Sequence, residues 1–282
     1  MGYKIVVFDL DETLGYFVEL CILWYGIIDY LKIKHTDYEV NNKDFFELFK
    51  KYPEFIRPNI FSILEYLKNK KINGECFKLM IYTNNKRSKE WCNIIKNFYE
   101  SKLNNYNLFD QMICAFKINN KQIELCRTSH QKKHTDFIKC TKLPFNTQIC
   151  YIDDVYYPKM HTENVYYINV PEYIYKLEIS ELLKRFYTTS LGKQKWFDLD
   201  FPLFIHDRFS QSGWIYEKKG LTQYNTDKNA SNNLMYKLQI FFMASKKTSS
   251  KKKYRTPIKT KRNMRRKLSH AYTKKNTKVI SD

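Results

Sequence analysis

The chain has no C-x-x-C pair and no clean apolar run of bilayer length. Its seven cysteines (Cys21, Cys76, Cys92, Cys114, Cys126, Cys140 and Cys150) are odd in number and scattered, which argues against a disulfide framework or a zinc knuckle. A reducing compartment is expected. Of the six histidines only His130 and His134 stand four residues apart; all six are read as structural or surface, and nothing marks a thiol as an activated nucleophile. Met1 leads into a strand-like run without the cationic, apolar and small-residue segments of a secretory signal. Position 6, where a myristoylation signal wants Ser or Thr, holds Val6. The longest apolar stretch, Tyr16 to Leu31, carries Glu19 and Asp29 and falls short of the roughly 18 to 20 residues that span a bilayer. It predicts a buried helix and no membrane contact. An intracellular protein, cytoplasmic or nuclear, is expected, and no internal repeat is visible.

What is present suffices for a folded core, since 43% of the 282 residues are apolar and 17% aromatic. The net charge of +20 is uneven, because fifteen of the 49 Lys and Arg residues lie between Lys246 and Lys278, where apolar residues almost vanish. Such a segment cannot bury enough surface to offset its ordering entropy. Three regions are therefore predicted: a core over residues 1–190, an extension over 191–245, and a disordered basic tail over 246–282. The extension offers only Trp196, Phe201, Phe204, Trp214 and the amphipathic run Leu234, Leu238, Phe241, Phe242.

Three short apolar runs, Ile5 to Phe8, Leu79 to Tyr82 and Ile149 to Ile152, end abruptly in polar residues. Runs apolar at every position suit parallel strands covered on both faces. Between them, Ile60, Ile63, Leu64 and Leu67 behind Pro58, and Trp91, Ile94, Ile95 and Phe98, have helical spacing. The fold class is α/β: a Rossmann-like parallel sheet with helices on both faces. Ile113 to Ile118 and Gln122 to Cys126, flanking Asn119-Asn120, predict a small β-hairpin insertion. Val165 to Val170 predicts a further strand, and Ile179, Leu182, Leu183 and Phe186 a closing helix. Open parallel sheets bind ligands beyond the carboxyl ends of their strands, so Asp9-Leu10-Asp11, Thr83-Asn84-Asn85 and Asp153-Asp154 should converge.

The string Asp9-Leu10-Asp11-Glu12-Thr13 after an apolar strand resembles the first motif of the haloacid dehalogenase superfamily. Thr83 after the second strand, Lys132 or Lys133 before a helix, and Asp153-Asp154 after another strand match its other three motifs in order. Alone, each is an ordinary turn, helix cap or solvated face. Further resemblance is to the subgroup of RNA polymerase II C-terminal-domain phosphatases and NLI-interacting-factor-like phosphatases. It rests on Asp-Leu-Asp-Glu-Thr-Leu, on Arg57-Pro58, and on Cys126-Arg127 shortly before the lysine, over residues 3 to 187. Asn84-Asn85 and Asp-Asp-Val-Tyr-Tyr-Pro depart from the subgroup's pattern.

The resemblance implies a phosphatase, and each chemical role has a candidate. Asp9 would attack phosphorus and carry an aspartyl-phosphate. Asp11 would protonate the leaving group and later take a proton from water, so the two pKa values must be pushed apart. Thr83 would hold a phosphoryl oxygen and a lysine would neutralise another, with Asn84 and both Lys132 and Lys133 as candidate substrate contacts. Counting back from Phe137 favours Lys132 over Lys133. Mg²⁺ would take the Asp9 carboxylate, the Asp11 main-chain carbonyl, and Asp153 or Asp154. The expected substrate is phosphoserine or phosphothreonine in an exposed protein segment. A phosphatase for nucleotides or nucleic-acid ends is the alternative, and a non-catalytic module with this fold is a third, although such relatives lose a motif-one aspartate and both are present here. The tail over 246–278 could bind nucleic acid, direct nuclear import or meet an acidic protein.

Overall fold

The computed structural model describes residues 3–244. The expected basic tail, with its nucleic-acid contact, lies outside the described residues. Five parallel strands form the main sheet: β1 (Lys4–Phe8), β2 (Lys78–Tyr82), β3 (Gln111–Ile113), β6 (Gln148–Asp153) and β7 (Val165–Asn169), in the order β3-β2-β1-β6-β7. Between β3 and β6 stands a two-stranded hairpin, β4 (Lys117–Ile118) and β5 (Lys121–Gln122). The expected α/β class with a parallel, helix-flanked sheet is therefore observed.

The hairpin is shorter than expected. Ile113 belongs to the main sheet, where it pairs with Tyr82, because its buried side chain continues the core rather than the insertion. Asn119 and Asn120, with φ of 47° and 61°, form the turn, as Asn in that region can.

Because strand side chains alternate, the two faces of the sheet bury different residues. Val6, Phe8, Leu79, Ile81, Cys150 and Ile152 face one large cluster, whereas Ile5, Val7, Met80, Tyr82, Ile149 and Tyr151 face a smaller one. Onto the larger pack α1 (Val18–Ile33), α2 (Asn42–Phe49), α3 (Ile60–Ile72) and α4 (Lys89–Lys102). The smaller is covered by α5 (His134–Thr141) through Phe137. Later helices, α6 (Ile179–Phe186), α7 (Asp200–Gln211) and α8 (Leu221–Met243), return to the large cluster. Helices thus lie on both faces, but unequally.

The 190/191 boundary expected between core and extension falls inside that cluster, which contains Phe186, Leu191, Phe201, Ile205, Leu234 and Leu238 alike. Near its start α8 offers Asp227 to Lys219, whose ammonium also lies 4.3 Å from the Tyr173 ring. At its end the Phe241 carbonyl accepts from the buried Lys4 that opens β1. The fourteen-residue step from Asp227 to Phe241 corresponds to about 21 Å of helix, so α8 runs the length of the sheet.

Cys126 and Cys140 are joined by a disulfide, which corrects the expectation of unpaired thiols. The chain leaving the hairpin brings Cys126 beside the last turn of α5, a proximity that spacing along the sequence does not reveal. Among the described residues, no helix is long and apolar enough to cross a membrane.

Candidate active site

Register brings the motifs together. Phe8 is level with Ile81 on one side and Ile152 on the other, so Asp9, Tyr82 and Asp153 are neighbours at the carboxyl rim. The Asp9 amide donates to the Ile152 carbonyl at 2.8 Å, which carries the ladder into the loop.

Lys132 is 1% exposed and donates to Asp9 Oδ1 at 2.5 Å and to Asp153 Oδ2 at 2.6 Å. The Tyr157 ring lies 5.3 Å from its ammonium, and the Tyr151 hydroxyl also donates to Asp153. Burial opposes the charge on Lys132, but Asp9 and Asp153 outweigh it and hold the ammonium protonated. Lys133, in contrast, is the N-cap of α5, and its Nζ donates to Thr128 Oγ1 at 2.9 Å. Of the two lysines, only Lys132 reaches the acidic group. Where helical geometry has not yet begun, successive side chains point to opposite sides, and Lys132 is the inward one.

Asp9, Asp153 and Asp154 each offer a carboxylate oxygen within 4.8 Å of the others. Asp154 Oδ1 accepts from Thr13 Oγ1 at 2.8 Å, and the Asp154 amide donates back to that hydroxyl at 3.1 Å. Asp153 Oδ1 accepts from the Val155 amide at 2.9 Å. The Asp11 side chain is not part of this trio; its Oδ2 accepts from Asn85 Nδ2 at 2.7 Å.

Thr83 is buried, and its hydroxyl accepts from the Asn85 amide at 3.0 Å. The expected substrate contact Asn84 instead uses both ends of its side chain within the protein. Its Nδ2 donates to the Tyr157 hydroxyl at 2.9 Å, and its Oδ1 accepts from Arg127 Nη2 at 2.7 Å.

Two buried arginines brace the rim loops. Arg57 donates to the carbonyls of Thr13, Glu12 and Pro171 at 2.6, 2.5 and 2.7 Å. It holds the first loop where Glu12 adopts a left-handed φ of 54°, a conformation that costs a non-glycine residue about 1–2 kcal/mol. Arg127 donates to the carbonyls of Thr83 and Cys114 at 3.0 and 2.7 Å, fixing the second loop. Both arginines entered the sequence comparison only as family markers. Asn85 stands at the rim with Thr83 as expected, but no role was assigned to it. Each arginine lies 44 residues along the chain from the loop it braces, so no local pattern marks it.

Burial raises the Asp9 carboxyl well above its usual range; Lys132 pulls it down, while Asp153 and Asp11 push it further up. Burial also raises Asp11, to about 6, against the Asn85 hydrogen bond and Lys132. Glu12 reaches about 7 through burial and then the charges of Asp11, Asp154 and Glu172. One desolvated rim holds Asp9 and Asp11, and burial raises both carboxyls. Compared with protein-family models, curated proteins and solved structures, the chain matches none.

Proposed function

We propose that the chain is a magnesium-dependent phosphatase of the haloacid dehalogenase type, acting through an aspartyl-phosphate on Asp9. Its proposed substrate is phosphoserine or phosphothreonine in an exposed protein segment. The observation that carries this reading is the buried Lys132 ammonium joining Asp9 to Asp153, with the Asp154 carboxylate beside them. A structural core has no use for three carboxylates around one ammonium, since each buried charge costs several kcal/mol unless it is balanced.

Asp9, Asp153 and Asp154 are hard oxygen donors, and one ammonium leaves the trio short of positive charge, so the residues present fit Mg²⁺. The Asp11 main-chain carbonyl completes the expected set. Bound there, Mg²⁺ supplies charge that keeps Asp9 ionised and offsets the phosphoryl oxygens, which separates Asp9 from Asp11 in protonation. The chain's own groups do the rest. An Asp9 oxygen bonds to phosphorus as the ester P–O bond breaks, and Asp11 gives its proton to the departing alcohol oxygen. Thr83 and Lys132 hold the phosphoryl oxygens. Water then attacks phosphorus, its proton passes to Asp11, and the Asp9–phosphorus bond breaks to release inorganic phosphate.

A second reading, a phosphatase for nucleotides or nucleic-acid ends, is favoured by Lys86, Arg87 and Lys89, which stand exposed directly after Asn85. The deciding experiment offers phosphopeptides, nucleotides and phosphorylated DNA ends with Mg²⁺ to the wild type and to Asp9→Asn. Asp9→Asn should lose turnover by orders of magnitude while melting normally. Activity that persists in a chelator overturns the metal assignment, and the preferred ester identifies the substrate class.

A further inference from the structure

We propose that Asn85 is a positioning residue for proton transfer: it holds one oxygen of Asp11 so that the other alone faces the leaving group. The inference rests on the phosphatase reading and concerns how that site is tuned. Asn85 makes three hydrogen bonds that fix its orientation. Its Oδ1 accepts from the Arg87 amide at 2.7 Å, so the nitrogen end must face Asp11, where Nδ2 donates to Oδ2 at 2.7 Å. Its main-chain amide donates to Thr83 Oγ1 at 3.0 Å. One residue thereby ties the acid of the first loop to the hydroxyl of the second.

The chemistry follows from the inventory of an amide. Its NH₂ group can only donate, and a carbonyl oxygen accepts better than a hydroxyl oxygen, so Asp11 Oδ2 takes the carbonyl role and the carboxylic proton resides on Oδ1. The hydrogen bond also stops the carboxyl group from turning about Cβ–Cγ. In the first step the Oδ1 proton passes to the ester oxygen as its bond to phosphorus breaks and the Asp9 oxygen bonds to phosphorus. In the second, Oδ1 takes a proton from the water whose oxygen displaces Asp9. Asn84 does no such work, because its side chain is committed to Tyr157 and Arg127.

The test uses leaving groups that differ in their need for a proton. With Mg²⁺ present, alcohol or phenolate release in the first turnover is measured for an alkyl phosphate and for dinitrophenyl phosphate, whose leaving group departs unprotonated. The variants are Asn85→Ala and the isosteric Asn85→Asp, which keeps the acceptor toward Arg87 but has no donor toward Asp11. Should Asn85→Ala fail to fold, Asn85→Asp carries the same comparison. The expected result is about a 100-fold slower first turnover of the alkyl ester, the scale of general-acid catalysis, with the dinitrophenyl ester unchanged. Equal losses on both esters mean a collapsed site and overturn the inference, as does no loss on either. A wild type that cleaves neither ester overturns the phosphatase reading itself and this inference with it.

Discussion

The two faces of the sheet divide the protein's work. Among the described residues, seven of the eight α-helices build the cluster on one face, and α5, with Met160 from the short turn Pro158–Met160, covers the other. The thin face carries Phe137, and the segment between its disulfide partners Cys126 and Cys140 holds both Arg127 and Lys132. The thick face holds most of the apolar burial, which at about 25 cal/mol per Å² is the dominant favourable term in folding. A small, pinned layer beside a deep one lets chemistry be tuned without altering the core. Variants on the thick face should accordingly lower stability and spare activity, whereas variants at the site lower activity.

The largest expected effect tests the thin face. Lys132→Met leaves Asp9 and Asp153 buried without their ammonium. Breaking such a pair costs about 3–5 kcal/mol, and losing one charge-stabilising donor costs about 10²–10³ in turnover. Thermal melting with and without Mg²⁺, run beside a turnover assay, measures both. Full activity in this variant would remove Lys132 from the site.

On the thick face, Leu238→Ala in α8 should cost about 2–5 kcal/mol in denaturant unfolding while kcat and KM stay unchanged. A loss near zero would make α8 an appendage rather than part of the fold. A loss of activity in the folded variant would break the division between faces.

A smaller effect concerns Glu19, a carboxyl buried in α1 whose Oε1 accepts from Trp214 Nε1 at 3.0 Å. Burial raises it from an ordinary 4.5 to about 7, against the Trp214 hydrogen bond. Between those values the folded chain binds more protons than the unfolded chain. This group's stabilisation is therefore complete below pH 4.5 and is lost as pH rises through about 7. Glu19→Gln should flatten the fall in melting temperature between pH 5 and 7.5 relative to the wild type, the rim carboxyls being common to both proteins and cancelling in the difference. An unchanged slope would show that Glu19 does not titrate there.

Much of this division was legible in the residues. Continuous apolar runs such as Ile5 to Phe8 can only be strands covered on both faces, and their polar ends mark the rim; hence Asp9, Thr83 and Asp153 stand where expected. The choice between Lys132 and Lys133 was close because it depends on where α5 begins, and helix starts shift by a residue or two. Asn85 was legible as a rim residue but not by its role, and the two arginine braces were not legible as parts of the site, since their partners are main-chain atoms and side chains far along the chain. Of α8, only the amphipathic run Leu234, Leu238, Phe241 and Phe242 was legible, because its Asn-rich first half has little helical preference. The disulfide escaped for the same reason: its cysteines meet only once the hairpin and α5 are in place.

The central claim, that Asp9 takes up the phosphoryl group, is tested most directly by acid-quenching the protein during turnover of a phosphomonoester with Mg²⁺ and weighing its peptides. The account predicts one added phosphoryl group on the peptide containing Asp9, acid-stable, lost in base and absent from Asp9→Asn. Turnover without that adduct, or an adduct on another residue, would contradict it.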